Sequence, residues 1–128
     1  MDITSVFGTA VPGSSPGEST MAQSIGGVEV DTIAARYGTP LYVYDAQTVE
    51  ACSQELIKAF PDMRVHYAVK ANANPALLKL MRRMGLGAEA VSPGELLAAT
   101  AAGFRKSDIS FTAPSLTEAE LVFASERA

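Results

Sequence analysis

The chain has 128 residues, 48% of them hydrophobic and 19% charged, with a formal net charge of −4. That length suits one ordinary domain, and that balance suits a packed core rather than a disordered chain. Lys and Arg are scattered apart from Arg82-Arg83 and Arg105-Lys106, which argues against a nucleic-acid partner. The single cysteine, Cys52, leaves no intrachain disulfide and no metal-ligand spacing, so no metal is expected and a reducing compartment fits. The first basic residue is Arg36, and no apolar run approaches membrane-spanning length. Neither a signal peptide nor a membrane partner is expected, and the chain reads as cytoplasmic.

Residues 1–24 are rich in Gly, Ser, Thr and Pro and read as a flexible lead, with Met21 an alternative start. Residues 25–128 read as the folded part. Asp31 to Tyr37 is predicted as a short helix, with Asp31 as N-cap and Gly38 as stop. Leu41-Tyr42-Val43-Tyr44 reads as a strand ending at Asp45. Val49, Cys52, Leu56 and Phe60 recur at helical spacing, which predicts an amphipathic helix closed by Pro61, with Cys52 in buried packing.

A strand–helix alternation then begins. Arg64 to Val69 is predicted as a strand, and Lys70 to Asn74 as a polar link. Pro75 to Met84 is predicted as a helix capped by Asn74 and ended by Gly85, with Leu77, Leu78, Met81 and Met84 as its core stripe. Gly87 to Val91 is a strand. The next helix opens at Ser92-Pro93-Gly94-Glu95, which has the spacing of a capping box, and closes at Gly103. Asp108 to Thr112 is a third strand. A last helix opens at Ser115 or, through an alternative box, at Thr117 and Glu120. Strand and helix alternating with short links imply parallel strands and right-handed crossovers. The fold class is therefore α/β, as in the opening part of a (β/α)8 barrel or an open doubly wound sheet. A barrel needs eight such units, so these residues are expected to be an incomplete, truncated one.

Lys70 directly follows the first apolar strand of the repeat, at the end where ligands bind in such sheets. Strand alternation puts Lys70, Ala68 and His66 on one face, and Val65, Tyr67 and Val69 on the other. A lysine there can serve as a Schiff-base amine, and Ala68 beside it leaves room for a flat ring. An ordinary solvated lysine is the competing reading. Glu89, at the end of the next strand, is either a second member of the site or a strand-end glutamate. Glu95 is read first as a capping residue and second as an active-site group. His66, the sole histidine, is read as strand filler.

Tyr67-Ala68-Val69-Lys70-Ala71-Asn72 resembles the lysine motif of the fold-type III pyridoxal-phosphate decarboxylases. Tyr37-Gly38-Thr39-Pro40-Leu41-Tyr42-Val43-Tyr44-Asp45 resembles the opening of the diaminopimelate decarboxylases in particular, as do Ile25-Gly26-Gly27-Val28 and Val91-Ser92-Pro93-Gly94-Glu95-Leu96. The alanine racemases, a related group, usually lack the Thr-Pro-Leu-Tyr-Val-Tyr-Asp lead. The resemblance runs from about residue 25 to 128. It implies a barrel of the alanine-racemase kind, with pyridoxal 5'-phosphate bound to Lys70 and Glu89 near its ring, beside the space that Ala68 leaves. It also implies a small amino-acid substrate, conversion of meso-diaminopimelate to L-lysine and carbon dioxide, and a homodimer with composite sites.

Two departures stand out. Glu89 falls where the family usually has Asp. The link Ala113-Pro114-Ser115-Leu116-Thr117 lacks the usual Gly and Lys, with Leu116 where lysine is common. Ornithine, arginine or carboxynorspermidine-type decarboxylases therefore stay open, as does a non-catalytic remnant that only binds the cofactor. The resemblance further implies that the phosphate site, the partner of the pyridine nitrogen and the substrate arginines lie in later segments. These 128 residues alone are expected neither to fold stably nor to decarboxylate.

Overall fold

The computed structural model describes residues 24–127, so the expected flexible lead and Met21 lie, except for Ser24, outside the described residues. The chain divides into two compact units, one ending at Val49 and one beginning at Glu50.

In the first unit, β1 (Ser24–Ile25) and β2 (Val28–Glu29) form an antiparallel hairpin. Its two-residue turn is Gly26-Gly27, with φ of 58° and 77°. Both turn positions need positive φ, which is why glycine occupies them. The Gly26-Gly27 pair is itself a hairpin-turn signal in the sequence, beyond the family resemblance it carries. Helix α1 (Val30–Tyr37) follows at once. It starts one residue before the expected Asp31, which lies in the first turn, and Glu29 at the cap position makes no side-chain cap. The expected strand Leu41–Tyr44 does not form: only Tyr42 makes an isolated bridge, and Tyr42 is 61% exposed. β-branched and aromatic residues favour strands when there is a paired surface to fit; Leu41 and Val43 are half-buried, but beyond the bridge at Tyr42 the run has no strand to pair with.

Helix α2 (Ala46–Ala59) begins under an Asp45 cap, whose carboxylate accepts from the Gln47 N–H at 3.0 Å and the Thr48 hydroxyl at 2.6 Å. The expected burial of Cys52 is overturned. Cys52 is exposed, as are Leu56 and Phe60 on the same stripe. Ser53 and Ile57 are the more covered positions instead, and the Ser53 hydroxyl reaches the Met81 sulfur at 3.9 Å.

The second unit holds three strands in the order β3-β4-β5, all parallel. They are β3 (His66–Ala68), β4 (Gly87–Ala90) and β5 (Ile109–Phe111), linked by α3 (Pro75–Arg83) and α4 (Pro93–Ala101) and followed by α5 (Glu118–Ser125). This is the α/β architecture of the opening units of a (β/α)8-type barrel. Asn74 caps α3 as expected, accepting from the Ala76 N–H at 2.8 Å, and Pro75 fills the first helical position. Of the two openings considered for α5, the structure takes Thr117 and Glu120, which form a reciprocal capping box.

The core lies between the sheet and the two crossover helices. Leu78 of α3, Leu96 of α4 and Val69 are its largest fully enclosed side chains. Ala88 and Ala90 of β4 and Ala99 of α4 are equally enclosed. Their small size lets α4 lie close on β4 and β5. Each such leucine contributes about 1.5–3 kcal/mol by leaving water. Among the described residues no helix is long and apolar enough to cross a membrane.

Candidate functional site

Parallel register sorts the strand residues into two faces. His66 pairs with Gly87, and Ala68 with Glu89, which in turn pairs with Ser110. These residues share one face, because alternate strand positions point the same way. Tyr67, Ala88 and Ile109 share the other, against the helices, where Ala88 and Ile109 are buried.

At the C-terminal end of β3 the chain does not run on as a strand to Val69, as expected. It tightens into a 3-10 turn over Val69–Ala71 that carries Lys70. The cause is a set of polar contacts that pull the backbone round. The Tyr67 hydroxyl donates to the Asn72 carbonyl at 3.1 Å. The Asn72 side chain accepts from the Asn74 N–H at 2.9 Å, and Asn74 then caps α3. Val69 is driven into the core by this turn, and Lys70 is left exposed. The lysine thus owes its exposure to the turn rather than to strand alternation.

Glu89 lies at the matching end of β4 and is half-buried. Its carboxylate accepts from the Thr112 hydroxyl at 2.9 Å. Thr112 was not singled out from the sequence. No short stretch of sequence points to it: Thr112 lies two positions past Ser110, and only the register that pairs Ser110 with Glu89 puts it on the same face. Ala68 offers only a methyl group in the row beside Glu89. Ala68 and the fixed Glu89 carboxylate therefore share one face of the sheet, and the turn that follows β3 places the exposed Lys70 amine at the same end. Such a group can take a flat, carbonyl-bearing molecule at the amine and orient it with the carboxylate.

Of the other candidates, His66 lies at the opposite end of β3, and Glu95, although it follows the C-terminal end of β4, is taken up in the start of α4. The His66 ring occupies the space where a Cβ on Gly87 would stand, which makes it strand filler. Glu95 accepts from the Val91 N–H at 3.0 Å, while the Ser92 hydroxyl accepts from the Glu95 N–H at 3.3 Å. It is a helix-start residue, although its reciprocal bond goes to Val91 rather than to the cap residue itself.

The family model for the pyridoxal-binding domain of pyridoxal-dependent decarboxylases matches residues 46–128. The chain is 44% identical over 100 residues to the diaminopimelate decarboxylase of Aquifex aeolicus, covering 78% of this chain and 24% of that protein. Among solved structures, the diaminopimelate decarboxylase of M. jannaschii in complex with L-lysine superposes with a TM-score of 0.74 at 31% identity, over 79% of this chain and 25% of that one. The arginine decarboxylase of Paramecium bursaria Chlorella virus superposes with a TM-score of 0.61 at 29% identity, over 64% of this chain and 22% of that one. The chain spans about a quarter of the length of the curated relatives it matches.

Proposed function

The chain belongs to the pyridoxal-dependent decarboxylases, and from that premise we propose that the full-length protein decarboxylates meso-diaminopimelate to L-lysine, with Lys70 as the residue that attaches the cofactor. The observation that carries the reading is the exposed Lys70 on its 3-10 turn, on the same sheet end as the Glu89 carboxylate. The family's cofactor is pyridoxal 5'-phosphate, and the residues present fit its ring end: an amine for the aldehyde, a methyl-sized neighbour in Ala68 and a carboxylate in Glu89. When bound, the cofactor supplies an electron sink for the pair left behind as carbon dioxide departs.

The roles of the chain's own residues follow from their placement. The Tyr67, Asn72 and Asn74 contacts hold the turn, and so hold the Lys70 amine beyond the sheet edge. Thr112 restrains the Glu89 side chain, whose extra methylene would otherwise let the carboxylate wander. Residues 25–128 are then the first part of the cofactor-binding barrel, and the protein works in the cytoplasm as a homodimer. Diaminopimelate is favoured because several relatives above 38% identity carry that activity in their names. A second reading, an ornithine- or arginine-type decarboxylase, is favoured by Leu116, which is 38% exposed and apolar where the resemblance leads one to expect lysine.

The test is release of carbon dioxide by the full-length protein from meso-diaminopimelate, ornithine and arginine in parallel. Preference for diaminopimelate is expected. Preference for either of the others would transfer the proposal to the second reading, and no release from any would leave a cofactor-binding protein without turnover.

A further inference from the structure

The opposite end of the sheet carries a second polar cluster that the decarboxylase reading does not use. A cavity of about 270 Å³ lies there, lined by Arg64, Arg82, Arg105 and Asp108, with Gly85 and Gly103 in its wall. The residues arrive from successive units: Arg64 before β3, Arg82 at the end of α3, and Arg105 and Asp108 just before β5.

Asp108 is only 8% exposed, and its carboxylate is fully engaged. It accepts from Arg64 at 2.6 Å, from the Arg105 Nε at 2.8 Å and Nη2 at 3.1 Å, and from the Ser107 hydroxyl at 2.9 Å. Arg82 stands apart. Its guanidinium lies over Gly103, where an added Cβ would come within 3.3 Å of Nε, and among the described residues it has no carboxylate partner. Three guanidinium charges therefore face one carboxylate around an open space, a surplus of two. Like charges so placed repel one another unless an anion or water screens them. Glycine at 85 and 103 keeps the wall free of side chains that would fill the space.

We propose that this cavity binds a small oxyanion of the phosphate class, held by Arg82 together with those N–H bonds of Arg64 and Arg105 that Asp108 and the Ser107 carbonyl do not take up. Planar guanidinium forks match tetrahedral oxyanions bidentately, and a dianion balances the surplus charge. The site lies at the other end of the sheet from Lys70 and does not depend on the assignment of that lysine.

Inorganic phosphate and a simple phosphate monoester, glycerol 3-phosphate, are titrated into the full-length protein at ionic strength held constant with sodium chloride, with binding followed by calorimetry and by thermal melting. Saturable binding of phosphate is expected, with a rise in Tm that chloride alone does not give. An equal response to the monoester means the phosphoryl group is what is read; a stronger response means a phosphorylated metabolite is the natural ligand. Arg82→Gln, at an exposed position, is expected to weaken binding about tenfold or more, and Arg105→Gln to weaken it in the same direction. Lys79→Gln, which removes an exposed charge outside the cavity, is expected to bind phosphate as the parent does. Absence of saturable phosphate binding, or unchanged affinity in both arginine variants, overturns the proposal.

Discussion

The two ends of one sheet face behave differently although the same three strands build them. At the N-terminal end, His66, Gly87 and Asp108 interlock: the His66 ring and the Asp108 carbonyl leave Gly87 no room for a Cβ, and the Asp108 side chain ties down two arginines. At the C-terminal end, Glu89 holds one hydrogen bond from Thr112, and Lys70 is exposed with no carboxylate partner among the described residues. Apart from Arg82, the polar groups at the first end are engaged in holding strands and loops together. Those at the second are held in place but not consumed. In barrels of this kind the C-terminal face carries chemistry and the N-terminal face carries stability, and the contrast gives that rule a residue-level cause.

The contrast can be broken by substitution. The largest expected effect is on chemistry at the C-terminal end. Lys70→Ala should lower decarboxylation by the full-length protein on the order of a thousandfold or more, as loss of a covalent group does. Its stability should stay within about 0.5 kcal/mol of the parent, because the side chain is exposed. Equal losses of activity and stability in this variant would mean the lysine serves the fold.

Next in size is Gly87→Ala at the N-terminal end. The new methyl group would meet the His66 ring and sit 2.9 Å from the Asp108 carbonyl. Overpacking of this sort costs about 1–3 kcal/mol, read in a denaturant titration. His66→Ala made in the same chain should restore part of the loss, because the ring is the larger obstacle. No recovery would place the strain at the carbonyl instead.

Acid unfolding reports on the ion pairs. Hydrogen bonds from Arg105, then Arg64 and Ser107, hold the Asp108 carboxyl well below the usual carboxylate range. A carboxyl depressed in the folded state stabilises fully above its unfolded value, about 4, and loses that contribution as pH falls below it. The stability gap between the parent and Asp108→Asn should therefore be constant near neutrality and shrink on acidification below about pH 4. A gap independent of pH would contradict the charge assignment.

Thr112→Val should have the smallest overall effect, costing within about 1 kcal/mol of stability, since it removes one exposed hydrogen bond. Its effect should appear as weaker cofactor retention during dialysis, which a merely structural role for Thr112 would leave unchanged.

Much of this arrangement was legible in the sequence wherever local chemistry decides structure. Asn74-Pro75 and Thr117 with Glu120 announce helix starts because their side chains satisfy backbone N–H groups within a few residues. The strand preceding Lys70, and hence the end of the sheet on which it lies, followed from the strand–helix alternation. Less legible was whatever depends on the surface an element meets. Leu41–Tyr44 has strand composition without a strand's surroundings, and the stripe through Cys52, Leu56 and Phe60 has helical spacing but faces outward. The 3-10 turn at Lys70 depends on Tyr67 reaching five residues ahead, and the Glu89–Thr112 pair on register between strands, which no short window of sequence displays. The arginine cavity escaped notice because its members are scattered over forty-odd positions and meet only when three units pack.

The most direct test of the central claim is reduction of the full-length protein with borohydride after incubation with pyridoxal phosphate, followed by peptide mapping. The account predicts that the stable adduct lies on the peptide containing Lys70 and vanishes in Lys70→Ala. An adduct on another lysine, or none on a folded protein that retains activity, would contradict it.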